Sequence, residues 1–289
     1  MKNILKINQI AAWQLGRHLV QNEEPSWVAT LPSLQRDAVW KPGQVELLWD
    51  SLFRGFPIGS LVISEELDNQ KSRFGKLAGS NDPWPEKKDK RHLLDGQQRS
   101  NAIALGFFDP FAPNALALGS ILWLDLCPHL EDFRLGTRHY FFRLTTIAHP
   151  WGYDSSDSAV RLHAFEIQKA VNESKWKPPH RDFYQRPAVL DLWPAKANKP
   201  IPAAWLLLNA EKQGSCLWTA IREKCEVVSN RHDWAQNVAN WLRETTADSL
   251  SEIEKGLKRA INTTVPVLEV SEEAVHAKSM QEDYAESLF

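Results

Sequence analysis

The chain has 289 residues, with 34 Lys and Arg against 36 Asp and Glu, so its formal net charge is −2. Hydrophobic residues make up 43% and charged residues 24%, which excludes a disordered chain, a collagen-like fibre and a coiled-coil rod. The length allows one large domain or two smaller ones. No apolar run approaches the roughly 18 residues that a membrane span needs, and the N-terminus lacks a signal-peptide pattern. We therefore expect a cytoplasmic protein with no membrane partner.

Cysteine and tryptophan usage narrows the class of protein further. Cys127, Cys216 and Cys225 form no CxxC pair, which argues against a disulfide framework and a zinc knuckle and predicts buried thiols in a reducing compartment. The 13 Trp predict a large buried aromatic area. The nine His show no HExxH motif and no metal-binding spacing with Cys.

The first part of the chain predicts alternating strands and helices. Pro32 makes Trp27–Leu34 an edge strand or a strand end. Val45, Leu48, Trp49 and Leu52 have helical spacing, and Gly55 is placed to end that helix. The elements predicted next are a short buried strand at Gly59–Ser64, a long polar loop at Glu65–Arg91, a strand end at His92–Asp95 and a helix at Gln97–Phe107.

The second part mixes strands and helices. Strands are predicted at Ile121–Leu126, His139–Ile147 and Thr263–Val270, helices around Val160–Val171 and Trp234–Leu242, an irregular proline-rich connection at Pro178–Pro202, and the start of a helix at Asp283–Phe289. Ser249 and Glu252 predict a capping box for a further helix. The pattern indicates an α+β or α/β fold, with a core at residues 1–110 and a mixed, largely helical extension at residues 111–289.

The strongest local signal is the segment from Asp95 to Ser100, at a predicted strand-to-helix turn. A helix N-terminus offers free backbone N–H groups and a positive dipole end, both of which favour an anion. Arg99 adds a guanidinium suited to phosphate oxygens, Asp95 could hold Mg²⁺, and Gln97 and Gln98 could orient a water. These are the parts of a phosphoryl-transfer site. In the structural alternative, Asp95 is a helix cap and Arg99 an ordinary ion-pair partner.

Three other segments are weaker candidates. Gly55–Ser60 is rich in glycine but lacks the Lys of a Walker A loop; it could contribute backbone donors near a ligand, but a helix end followed by a strand start is the favoured explanation. Gln35 and Arg36 follow a strand and could face the same crevice as Asp95. His149–Tyr153 is a compact aromatic turn in which packing is favoured over catalysis, because no nucleophile lies nearby in sequence.

Three blocks of sequence together resemble a known family. They are LPSLQR at Leu31–Arg36 with Trp40, LLWDSLFRGFPIGSLVI at Leu47–Ile63, and LLDGQQRSNAIAL at Leu93–Leu105. In this order they are similar to the N-terminal, S-type domain of GmrSD-like modification-dependent restriction systems, a bacterial domain with a ParB/sulfiredoxin-like core. The only departure within the last block is Ser100-Asn101, where a Leu-Thr pair is commoner.

The resemblance implies an NTP-dependent element of anti-phage defence that senses modified DNA. By matched position, Asp95, Gln97, Gln98 and Arg99 would be catalytic, and Asp95 would also hold Mg²⁺. The nucleotide would be bound by Gln35, Arg36, Arg54, Gly55, Pro57, Gly59, Gly96 and Ser100. In relatives a D-type nuclease domain often follows. Its His-based motif does not occur here, so we expect a fragment or a short stand-alone member that works with a partner nuclease domain or subunit.

Three functions stay open at this point. One is a Mg²⁺-dependent NTPase that gates DNA restriction. Another is a module that binds a nucleotide or DNA without hydrolysis and signals to a nuclease. A weaker alternative is a DNA nickase, for which the seven basic residues between Lys71 and Arg91 would contact phosphates.

Overall fold

The computed structural model of the protein describes residues 4–15, 27–32, 40–65, 72–74, 89–112, 119–130, 138–153, 162–173 and 192–271. These residues form an α+β fold, as predicted. The strands are β1 (Ile4–Lys6), β2 (Trp27–Pro32), β3 (Leu61–Glu65), β4 (Ser72–Phe74), β5 (Asp89–Asp95), β6 (Ser120–Asp125), β7 (Phe141–Thr146), β8 (Pro200–Pro202) and β9 (Thr264–Glu269). The helices are α1 (Ile7–Leu15), α2 (Pro42–Arg54), α3 (Gln97–Phe107), α4 (Ala164–Glu173), α5 (Ala203–Leu207), α6 (Gly214–Val228), α7 (Asp233–Glu244) and α8 (Ser251–Ile261), with a 3-10 helix at Ala247–Leu250.

A six-stranded mixed sheet carries the turn between β5 and α3. Its strand order is β1-β9-β3-β5-β2-β4. The β9–β3 and β5–β2 pairs are parallel, and the other neighbours are antiparallel. Strand β9, from the far end of the described chain, therefore lies next to β3 in the same sheet as the first strands. The domain boundary at residue 110 and the likeness to a ParB core stay predictions.

A second, antiparallel sheet has the order β7-β6-β8. Its central strand is buried along its length, and Trp123 donates its indole N–H to the Thr145 hydroxyl at 2.8 Å. Helix α2 packs against β7 on one side and against α3 and α8 on others. This helix thus joins the second sheet to the elements around the β5–α3 turn, and α3 also contacts β6 directly.

Trp49 packs α2 against α3. Its fully buried indole donates to the Ala102 carbonyl at 2.8 Å and lies where a side chain at Gly106 would be. Only glycine at position 106 allows this close approach. Trp49 is one of eight Trp that are buried in the described residues, as the composition predicted.

Several sequence predictions are confirmed by the structure. Helix α2 buries Val45, Leu48, Trp49 and Leu52, and it ends at Gly55, whose φ of 79° is left-handed. Helix α3 spans the predicted residues, and Pro32 ends β2. Within the described part of the chain, no helix is long and apolar enough to cross a membrane.

Other sequence predictions were wrong. The capping box at Ser249 does not form, because Ser249 lies in the 3-10 helix and α8 begins after Leu250 without a side-chain cap. The long loop at residues 65–91 contains β4 and the start of β5. Cys225 is buried, but Cys216 is exposed and Cys127 is half-buried. The predicted helix at residues 283–289 and most of the connection at residues 178–202 lie outside the described residues.

Candidate functional site: the turn between β5 and α3

The turn from β5 to α3 depends on Gly96. This residue has a φ of 102°, and a Cβ there would overlap the Leu61 side chain of the neighbouring strand. Both features demand glycine. The first backbone N–H bonded within the helix is that of Ser100, which donates to the Gly96 carbonyl at 2.8 Å. The preceding N–H groups have no acceptor inside the helix, which is the arrangement that favours an anion at a helix N-terminus.

Arg99 connects this turn to the turn after α2. Its guanidinium donates to the Ile58 carbonyl and to Asp95 Oδ2, both at 2.9 Å. Gly59, with a φ of 85°, leaves the room that this guanidinium occupies. These two bonds use two of the five N–H groups of Arg99 among the described residues, so the remaining groups are available to an anion.

Asp95 is an exposed carboxylate at the end of β5, beside the N-terminus of α3. Its side chain is 70% exposed, and the contact found for it is the ion pair with Arg99. It is not the helix cap, because Gly96 occupies that position and no side chain caps α3. The sequence offered the alternative that Asp95 caps α3 and Arg99 is an ordinary ion-pair partner. The ion pair between Asp95 and Arg99 is present, but Asp95 does not cap the helix.

The two glutamines differ in what they contact. Gln98 Oε1 accepts the backbone N–H of Trp40 at 3.3 Å, which connects the first sequence block to the helix. Gln97 is half-buried, and within the described residues its side chain makes no hydrogen bond. Ser100 is fully buried, and its hydroxyl has no partner there. Gln35 and Arg36 lie outside the described residues.

The turn after α2 exposes Phe56, with the partly exposed Arg54 before it and the exposed Arg259 of α8 beside it. Arg54 ends the helix, and its guanidinium carbon lies 4.4 Å from the centroid of the Phe56 ring. Gly55 and Phe56 return their N–H groups to α2, and Phe56, Pro57 and Gly59 are exposed. Arg259 of α8 lies against Gly55, with its Cδ 3.5 Å from the position of a Cβ. Sequence reasoning missed Arg259, since nothing in the spacing connects it to a turn some 200 residues earlier.

Two buried acids on α2, also missed, hold the site's supporting helix in place. Asp50 Oδ1 accepts the backbone N–H groups of His139 and Tyr140 at 3.0 and 2.8 Å. Glu46 accepts the Leu144 N–H at 2.9 Å and pairs with Arg138 at 2.7 Å. Burial raises the pKa of Glu46, although Arg138 opposes this shift. The signal in the sequence was two acids with i, i+4 spacing beside buried apolar positions.

The donor set fits a magnesium ion bound together with phosphates. No group of three or more His, Cys, Asp and Glu that could hold a metal exists among the described residues. Mg²⁺ does not require such a group, because it keeps several waters and uses one or two carboxylates beside substrate phosphates. The exposed carboxylate of Asp95, next to the N-terminus of α3, is of this kind.

A model of the family described as GmrSD restriction endonuclease, N-terminal domain, matches residues 17–180. This match covers more than half of the chain and includes both turns of the candidate site. No curated protein matches the chain.

Proposed function

The chain belongs to the GmrSD restriction endonuclease N-terminal domain family, and from this premise we propose that it binds a nucleoside triphosphate with Mg²⁺ and hydrolyses it. Membership implies a role in a restriction system against modified DNA. Hydrolysis would gate the cleavage of that DNA by a partner nuclease domain or subunit.

The convergence of the three sequence blocks on the N-terminus of α3 carries this proposal. Arg99 bonds to the Ile58 carbonyl, Gln98 accepts the Trp40 N–H, and Gly96 packs on Leu61. These contacts place a guanidinium, an exposed carboxylate and backbone N–H groups that have no acceptor inside the helix around one helix end. Such a set stabilises the charge of a transferring phosphoryl group.

Each residue has a distinct role in the proposed reaction. The first N–H groups of α3 and the remaining N–H groups of Arg99 bind phosphate oxygens, and Asp95 would hold Mg²⁺. When bound, the ion neutralises charge on the phosphates. Gln97 orients the attacking water, since the Oε1 of Gln98 already accepts the Trp40 N–H. The water oxygen bonds to the terminal phosphorus as the bond to the leaving diphosphate breaks, and the water's proton passes to an oxygen of the released phosphate or to solvent.

Thermal unfolding with ATP, GTP, CTP or UTP plus Mg²⁺ tests binding. A ligand at a hundred times its Kd adds roughly 2.7 kcal/mol of stability, so we expect a clear rise in Tm with at least one nucleotide. Asp95→Ala should lose the rise, and Asp248→Ala, which removes an exposed acid of the 3-10 helix, should keep it. A rise that Asp95→Ala retains would contradict the proposed site.

Phosphate release tests hydrolysis separately. Gln97→Ala should keep the nucleotide-dependent rise in Tm and lose most phosphate release, because it removes the water-orienting amide and no described hydrogen bond. Arg99→Ala should weaken binding by about 1.5–3 kcal/mol through loss of a charge-assisted phosphate contact, but it also removes the bond to Ile58. Gln97→Ala is therefore the cleaner variant.

A non-catalytic sensor is the second candidate. The ion pair between Asp95 and Arg99 favours it, since each of these side chains already partly neutralises the other. In that case nucleotide binding would raise Tm in the wild type, and neither the wild type nor Gln97→Ala would release phosphate.

A further inference from the structure

We infer that the ring of Phe56, called here the stacking platform, holds the base of the bound nucleotide and accepts all four bases. The inference rests on the proposed function, because it needs phosphates at the N-terminus of α3. It adds a second contact for the ligand, so that the protein binds a nucleoside triphosphate more tightly than a triphosphate without a base.

The ring of Phe56 is the group that this part of the turn presents to a ligand. Phe56 is 46% exposed. Its backbone N–H donates to the Ser51 carbonyl at 2.9 Å, and Pro57 has no N–H. These two residues therefore offer an aromatic ring and no backbone donor. An exposed aromatic ring binds a planar base by stacking.

Arg54 holds this ring and covers one of its faces. The guanidinium carbon of Arg54 lies 4.4 Å from the centroid of the ring, and Nη1 lies 3.4 Å from Oδ2 of the buried Asp50. Arg54 thus positions the ring while it is itself paired with an acid. With one face of the ring against Arg54 and nearly half of Phe56 exposed, the opposite face is the one that a base can reach.

The stacking platform lies close to the proposed phosphate site. Arg99, in the first turn of α3, donates to the Ile58 carbonyl at 2.9 Å. Ile58 is two residues after Phe56, so the Cα atoms of these residues lie no more than about 7 Å apart. A nucleotide with its phosphates at the N-terminus of α3 can therefore place its base on Phe56.

The residues next to the ring predict that binding does not depend on which base is present. Gly55, Pro57, Ile58 and Gly59 carry no side-chain donor or acceptor. Discrimination between bases requires hydrogen bonds to their edges, whereas stacking accepts every base because every base has a π-face. The stacking platform therefore contributes affinity for a nucleotide without selecting one.

Calorimetric titration of the full chain tests the inference, with Mg²⁺ and each of ATP, GTP, CTP, UTP and tripolyphosphate. Each nucleotide should bind the wild type about fivefold to a hundredfold more tightly than tripolyphosphate, because stacking on one aromatic side chain contributes this much. Phe56→Ala should lose this difference and keep the Kd for tripolyphosphate, and Phe56→Tyr should restore it. Phe165→Ala removes a 79% exposed phenylalanine of α4 and should change neither Kd.

The two ligand types separate failure of this inference from failure of the proposed function. Nucleotide affinity that is unchanged in Phe56→Ala would overturn the stacking platform. So would an equal loss of affinity for nucleotides and tripolyphosphate, since Phe56 would then support the phosphate site, or a strong preference for one base. If the wild type binds tripolyphosphate as tightly as nucleotides and Asp95→Ala binds neither, the stacking platform fails and the phosphate site stands. If the wild type binds neither, the proposed function fails and the stacking platform fails with it.

Discussion

Asp50 and Asp95 both belong to the sequence blocks that mark the family, but their surroundings are opposite. The Asp50 side chain is 3% exposed, accepts two backbone N–H groups and contacts Arg54. The Asp95 side chain is 70% exposed and contacts Arg99. A motif carboxylate that is buried and fully bonded stabilises the fold, whereas an exposed one with a single partner is available for chemistry. Four variants test this contrast: two at Asp50, one at Asp95 and one at Glu46, the other buried acid of α2.

Asp50→Ala should have the largest effect on stability. It leaves the buried N–H groups of His139 and Tyr140 without an acceptor, which should lower the free energy of unfolding by about 3 kcal/mol or more. Urea unfolding measures the loss.

Burial raises the pKa of Cys225 to about 12, so this thiol should resist alkylation in the wild type and react faster in Asp50→Ala.

Asp50→Asn is the control for this variant. Both N–H groups bond to the same oxygen, Oδ1, so the amide keeps their acceptor and should lose about half as much stability as alanine. Equal losses in the two variants would mean that the negative charge, and not the acceptor, is what the fold requires.

Glu46 should make stability depend on pH in a direction that is unusual for a paired carboxylate. Burial raises its pKa above the usual 4.5, so the protonated form is the one that the fold favours. Its contribution to stability is then fully present below pH 4.5 and is lost as the pH rises through the raised value, at up to about 1.4 kcal/mol per pH unit. The free energy of unfolding of the wild type and of Glu46→Gln, measured across this pH range, gives the contribution of the Glu46 carboxyl. A wild type that gains stability over Glu46→Gln with rising pH would show that the Arg138 pairing dominates instead.

Asp95→Ala should have the smallest effect on stability. The ion pair that it removes joins a largely exposed carboxylate to Arg99, and such pairs contribute about 0–1 kcal/mol. Urea unfolding without nucleotide should therefore resemble that of the wild type. A loss above about 2 kcal/mol would mean that Asp95 mainly positions Arg99 against Ile58, and the contrast with Asp50 would disappear.

The local parts of the site were predictable because their signals are local. Helical spacing on α2, glycine after its last turn and the DGQQR segment between a strand and a helix each involve a few adjacent residues. Contacts over long sequence separations were not predictable in this way. The bonds from Asp50 to the start of β7 span about 90 residues, and the contact of Arg259 with Gly55 spans about 200.

The sequence by itself determined the α+β class, the helix before Gly55 and the strand-to-helix turn at Gly96, because apolar periodicity and glycine conformation act over one or two turns of chain. The tertiary structure alone decided which polar side chains became structural. Asp50 accepts the Tyr140 N–H just before β7, Gln98 accepts the Trp40 N–H, and Arg99 donates to the Ile58 carbonyl. Asp95, by contrast, is largely exposed, and the Gln97 side chain makes no hydrogen bond among the described residues. Burial and hydrogen bonding depend on what packs against a residue, and that is set by elements far away in the chain.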